Sequence, residues 1–198
     1  MRRRDILEAV IRITVKGGLA SATFREVAAE AGVSVRLVQY YFGTKDELLL
    51  ATQRHVAARS VARIQRLRAG GSDEPREVLR TIMGSFVPVD DESRDAMLMF
   101  VALFTAALLD PVLKRREAHE VPTSMQQTFA DHLRRARLRA GVDVDQEALR
   151  LTVMVTGLAQ GVLDGQLTTA DAFRSIDYSL DRALLPLSTT SRRRSHNR

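Results

Sequence analysis

Hydrophobic positions recur at helical spacing along almost the whole chain. Residues 2–16 carry Ile6, Leu7, Val10, Ile11 and the stretch Ile13 to Val15 on the apolar side, and Gly17-Gly18 stop the pattern. Phe24, Val27, Ala28 and Ala31 then share a face. Gly32 ends that helix, because glycine enters the left-handed conformation past a helix end without steric cost. A second short helix is predicted over 35–42, capped by Ser34, and a long one over 46–69 with Leu48, Leu49, Val56, Val61, Ile64 and Leu67 apolar. Gly70-Gly71 break it.

The remaining pattern predicts helices over 74–87 and 90–110, a segment over 113–120 and another over 124–140 separated by Val121-Pro122-Thr123, then 145–166 and 169–187. No alternating strand pattern appears, so the fold class is all-α. Residues 188–198 have no apolar face and read as a disordered basic tail.

The stretch 23–49 carries the chemistry. Thr23 with Glu26 has the capping-box spacing. Two short helices joined by a glycine turn make a helix-turn-helix candidate. Val38, Tyr41 and Phe42, with Val33 before them, are placed to pack on the first of these helices. Val35, Arg36, Gln39 and Tyr40 point away. A guanidinium, an amide and a phenol on one exposed face are groups that read base edges and hold phosphates in a major groove. Lys45 follows Thr44 at the start of the next helix, where free N–H groups and a lysine suit a phosphate. The competing reading of the outline alone is an ordinary helical hairpin with a solvated polar face.

The residues decide between these. Ala28, Ala31-Gly32-Val33-Ser34, Tyr41-Phe42, Lys45 and Leu48 together resemble the DNA-binding domain of TetR-family transcriptional repressors, over about residues 6 to 50. One departure is Gln39, where that family usually carries tyrosine. The resemblance implies DNA contacts from Thr23, Ser34, Val35, Arg36, Gln39, Tyr40, Tyr41 and Lys45. It further implies a DNA-binding domain over 1–45 and a helical effector-binding and dimerisation domain over 46–187.

Charge follows the same division. Residues 1–45 hold eight Lys/Arg against four Asp/Glu. Residues 46–191 are slightly acidic, and the last seven residues add four arginines. Positive charge thus sits where phosphates would be met. Arg2, Arg3 and Arg4 read equally as a solvated helix start or as a basic arm reaching DNA. The absence of cysteine excludes disulfides and thiolate metal sites, and fits a reducing cytoplasm. No apolar run has the length of a membrane span, and no signal-peptide pattern opens the chain.

Two expectations concern the second domain. Met83, Phe86, Met97, Phe100, Phe104, Met125, Phe129 and Met154 are candidates to line an apolar effector pocket, because Met and Phe line adaptable cavities. For each one, plain core is the competing reading. Gln126, His132, Thr156 and Gln160 are candidates to orient a ligand. The last two helices, through Leu151, Met154, Leu158, Phe173, Ile176, Leu180 and Leu184, are expected to form a homodimer interface, with packing inside one subunit as the alternative. A two-fold protein matches a palindromic operator.

No phosphate loop, GxSxG or HExxH motif is present, and the four histidines lack ligand spacing, so neither an enzyme nor a cofactor is expected. Asp90-Asp91-Glu92 reads as a capping and solvated charge run. A helical adaptor that binds only protein would explain the C-terminal helices but not the Arg36-Gln39-Tyr40 face. The sequence therefore points to a cytoplasmic, dimeric repressor that binds double-stranded DNA and is released by a small molecule.

Overall fold

The computed structural model describes the backbone of residues 2–109 and 120–185, and side chains over 2–108 and 125–185. The segment predicted over 113–120 and the tail at 188–198 lie essentially outside the described residues. Nine α-helices form among the described residues: α1 (Arg2–Gly17), α2 (Phe24–Glu30), α3 (Val35–Phe42), α4 (Lys45–Arg68), α5 (Pro75–Gly84), α6 (Asp91–Leu109), α7 (Glu120–Arg135), α8 (Val144–Leu163) and α9 (Thr169–Ala183). The architecture is all-α.

Two hydrophobic cores organise them. The first is local in sequence. Ile6, Leu7 and Val10 of α1 meet Val27 and Ala28 of α2, Val38 and Phe42 of α3, and Leu48 and Leu49 of α4. All of these are buried, and each apolar face follows the 3.6-residue period of its helix. The second core draws Leu79 and Met83 of α5, Phe129 and Leu133 of α7, Leu151 and Val155 of α8, and Ile176 and Leu180 of α9 from a hundred residues of chain. Helix α4 belongs to both, since its Ile64 packs against the second core.

Several boundaries differ from the pattern. Helix α7 runs from Glu120 through Pro122 instead of being interrupted there. Proline in a first turn removes only an N–H that has no helical partner. At its other end α7 stops at Arg135. Residues 137–139 are extended and pair with the end of α9: the Arg139 N–H donates to the Ala183 carbonyl at 3.0 Å, and the Leu185 N–H to the Arg137 carbonyl at 2.8 Å. Such pairing satisfies the Ala183 carbonyl at the end of α9 and the Leu185 N–H just beyond it, and helical periodicity contains no sign of it. Helix α5 ends at Gly84, and residues 85–87 turn toward α6.

Candidate nucleic-acid interface and cavity

The α2–α3 corner is fixed by its caps. Thr23 Oγ1 accepts the Glu26 N–H at 3.2 Å and Ser34 Oγ accepts the Leu37 N–H at 3.2 Å. Between them Gly32 takes φ 63°. The Val33 N–H donates to the Ala28 carbonyl and the Gly32 N–H to the Ala29 carbonyl, the paired bonds of a Schellman turn. The reciprocal capping box forms at the next helix start, where Thr44 and Glu47 exchange both bonds.

With α3 anchored by buried Val38 and Phe42, its opposite side is held toward solvent. Val35, Arg36, Gln39, Tyr40 and Tyr41 are exposed, Tyr40 at 82%. The Tyr41 ring meets Tyr40 edge-on at 5.6 Å, so Tyr41 belongs to the exposed side and not to the packing face on which its spacing placed it. Lys45 is exposed on the first turn of α4. At the other edge Arg3 lies within α1 with its guanidinium 5.1 Å from the Phe42 ring centre. Arg2 to Arg4 are therefore a helix start and not an extended arm.

Helix α4 continues from this face into a cavity of about 240 Å³. One wall is α4 itself, through Leu49, Leu50, Gln53, Val56, Ala57, Ser60, Val61 and Ile64. Helix α6 faces it with Met97, Phe100, Leu103 and Phe104, and Phe86, Met125, Thr128 and Thr156 close the remaining sides. The Phe100 and Phe104 rings stack at 5.9 Å.

A charged junction lies against the same wall and shares Val56, Ser60, Ser85, Ser93 and Ala96 with it. There Glu8 of α1 meets His55 at 2.7 Å and Arg59 at 2.8 Å on α4, joining the two helices. Arg63 donates to Asp90 at 2.8 Å and Glu92 at 3.1 Å. Burial opposes the Arg63 charge, but these two bonds outweigh it and hold its pKa above the usual value. Asp90 caps α6. The Ser93 N–H and hydroxyl, followed by Arg63, bring its carboxyl down to about 2. The acidic run at the start of α6 is thus a cap together with a partner set for the arginines of α4.

Comparison with known proteins fixes the family. The model of bacterial regulatory proteins of the tetR family matches residues 6–52, and the model of the C-terminal domain of BetI-type transcriptional repressors matches residues 75–185. The chain belongs to the TetR family. It is a transcriptional regulator and not an enzyme. The HTH-type transcriptional regulator BetI of Burkholderia mallei (strain NCTC 10229) is 31% identical over 191 residues, covering 94% of this chain and 95% of that protein. BetI 1 of Chromohalobacter salexigens is 29% identical over 191 residues, covering 96% and 93%.

Among solved structures, a TetR-family regulator from Rhodococcus sp. superposes with a TM-score of 0.82 at 24% identity, covering 93% of this chain and 98% of that one. A transcriptional regulator from Saccharomonospora viridis, solved in complex with choline, gives 0.78 at 23%, with the same coverage. These two share the fold.

Within this TetR-family regulator the predicted site residues divide. Phe86, Met97, Phe100, Phe104 and Met125 line the cavity. Met83 and Phe129 are fully buried in the second core, and Met154 packs against that core beside the Ser179 hydroxyl, so these three do not line it. Of the polar candidates only Thr156 reaches the cavity; Gln126, His132 and Gln160 do not. Burial lowers the His132 pKa, with Arg68 and Arg135 adding to it. The wall from α4 was missed, although its members recur every three or four residues and include Gln53 and Ser60, out of place on a plain apolar face.

The dimer candidates need a larger correction. Leu151, Ile176 and Leu180 are fully buried and Leu184 nearly so, all inside their own subunit. Met154, Leu158 and Phe173 are partly buried against the same core. The outward side of α8 and α9 instead carries Leu149, Val153 and Tyr178, with Leu185 just beyond α9. The strongest apolar positions of an amphipathic helix go to its own domain first; a partner receives what remains.

No helix among the described residues is long and apolar enough to cross a membrane.

Proposed function

We propose that this regulator is a ligand-responsive repressor that holds a palindromic operator as a homodimer in the cytoplasm and leaves it when a small molecule fills the cavity. The observation that carries this is the continuity of α4. One helix has Lys45 at the edge of the DNA-reading face and, further along, eight residues of the cavity wall. A ligand that wedges α4 from α6 moves the end that positions α3, and the Glu8–His55–Arg59 contacts pass the same shift to α1. A ligand changes the DNA-binding equilibrium only by favouring one of the two arrangements, and a cavity bounded by both helices supplies that difference.

Arg36 and Gln39 are the base readers, near the start of α3 where a recognition helix meets base edges. Lys45, Tyr40, Thr23 and Ser34 serve phosphates, and Val35 and Tyr41 offer apolar contact. Selection of preferred sites from a random duplex library tests the reading. It predicts two inverted half-sites about 34–36 Å apart or a multiple of that. A single asymmetric site, or no enrichment, overturns it.

The dimer uses the outward face of α8 and α9. Val153 is 65% exposed and Tyr178 63%, a costly arrangement for a surface with no partner. Gly157 supports the same face. It lies exposed in the middle of α8 with nothing within 4 Å of where a Cβ would stand, so the subunit itself does not require glycine there. Glycine in an exposed helix interior costs about 1 kcal/mol relative to alanine, and close approach of a partner helix accounts for it. Val153→Glu should leave the melting curve of the subunit intact and give monomers in sedimentation. A fully dimeric V153E protein overturns this choice of face.

A further inference from the structure

We propose that the molecule this cavity accepts is uncharged and mainly apolar, larger than a single benzene ring, and not a quaternary ammonium ion such as the choline bound in the Saccharomonospora viridis neighbour. The inference rests on the reading of the cavity as the effector site and adds the chemistry of its occupant.

Size comes first. A cavity of about 150 Å³ is enough for benzene, and this one measures about 240 Å³.

The wall's polar groups decide the charge. Among the described residues they are hydroxyls and the Gln53 amide, with no carboxylate, lysine or arginine. Most of those hydroxyls already donate within their own segment. Ser60 donates to the Val56 carbonyl at 3.1 Å, Ser85 to the Ile82 carbonyl at 2.6 Å and Thr156 to the Thr152 carbonyl at 2.9 Å. Ser93 donates to the Asp90 carboxylate at 2.7 Å. What they present to the cavity is carbon and weak acceptor lone pairs. The Gln53 amide can both donate and accept, which suits a hydroxyl, carbonyl or amide on an otherwise apolar molecule.

Among the described residues a cation would find no counter-charge in the wall, and desolvating an unpaired charge costs several kcal/mol. In the adjoining junction Asp90 and Glu92 are engaged by Arg63, and Asp95 lines that junction and not this cavity. An aromatic cage is the other way to hold a quaternary ammonium, and it works best with tryptophan or tyrosine. The chain has no tryptophan, and no tyrosine lines this cavity. Its Phe100 and Phe104 rings lie nearly parallel, 15° apart, stacked on one another instead of walling opposite sides of a box. Together with Phe86 they suit a flat hydrophobic body.

The test uses the full-length protein and the neutral fluorophore N-phenyl-1-naphthylamine, whose emission rises in apolar surroundings. Saturable binding is expected at one probe per subunit. Ala57→Phe, which fills the α4 wall, and Phe104→Ala, at the exposed rim, should each weaken it by about tenfold, equivalent to about 1.4 kcal/mol. A melting curve for each variant verifies folding, and either folded variant suffices. Competition then compares choline chloride with 3,3-dimethylbutan-1-ol, its uncharged carbon analogue. The neutral alcohol should displace the probe at concentrations about tenfold lower than choline. Displacement by choline at equal or lower concentration overturns the neutral-ligand inference and leaves the effector site standing. Absence of saturable binding, or binding unchanged in both folded variants, overturns the inference and the effector-site reading together.

Discussion

The two hydrophobic cores are built in opposite ways. The first comes from four helices that follow one another within fifty residues, and each contributes the face its own periodicity marks. What is left outside is fixed by the same local rule, so the proposed DNA-reading residues Val35, Arg36, Gln39 and Tyr40 are those a helical wheel assigns to solvent, with Tyr41 the exception. The second core gathers α5, α7, α8 and α9, and leaves α4 and α6 to enclose a cavity beside it. There an apolar side chain has three possible destinations: core, cavity wall or subunit surface. Periodicity distinguishes inside from outside, but it does not distinguish these three. Met83 and Met97 show the limit. Both are buried apolar residues on amphipathic helices, yet one fills the core and the other faces the cavity.

The strongest way to break this contrast is in the second core. Leu180→Ala removes a fully buried side chain and should cost about 2–5 kcal/mol in denaturant unfolding. The outward Val153→Ala should stay within about 0.5 kcal/mol in the monomer. Equal losses would mean that α8 and α9 are not divided into inner and outer faces as described.

In the first domain the largest effect falls on binding and not on folding. Arg36→Ala should lose about 1–3 kcal/mol on the preferred site and much less on random duplex, and relax one or two base positions in each half-site. Gln39→Ala should do the same at a neighbouring position. A uniform loss with the preferred sequence unchanged would move that residue to a backbone role.

Thr44→Ala tests whether the start of α4 is set locally. Removing the capping box should cost about 1 kcal/mol of stability. It should also weaken operator binding, since the same turn positions Lys45. Lys45→Ala should leave stability unchanged and lower the salt slope of DNA binding by roughly one phosphate contact. An altered sequence preference at constant slope would contradict a phosphate role.

The smallest effect concerns the junction beside the cavity. Asp90 is depressed from 3.8 to about 2 in the folded state. Its contribution to stability is therefore complete above about pH 3.8 and fades as pH falls toward 2. Ser93→Ala removes the hydroxyl bond, which ranks after the retained Ser93 backbone N–H among the contacts holding it down, so the mutant should show a flatter loss of stability across that acid window in pH-dependent melting. An identical acid profile would locate the cause elsewhere.

The sequence alone determined the helical class, the caps at Thr23, Ser34 and Thr44, the turn at Gly32 and the exposed face of α3. Each of these depends on residues within one or two turns of each other, where steric limits and capping bonds act without distant help. Only the tertiary structure decided that Leu151, Ile176 and Leu180 fill their own subunit, that α4 walls the cavity, and that residues 137–139 pair with the end of α9. Those outcomes depend on which helices meet across long stretches of chain. Apolar attraction is non-directional, so a leucine's neighbours, unlike its exposure, are set by how the whole bundle packs.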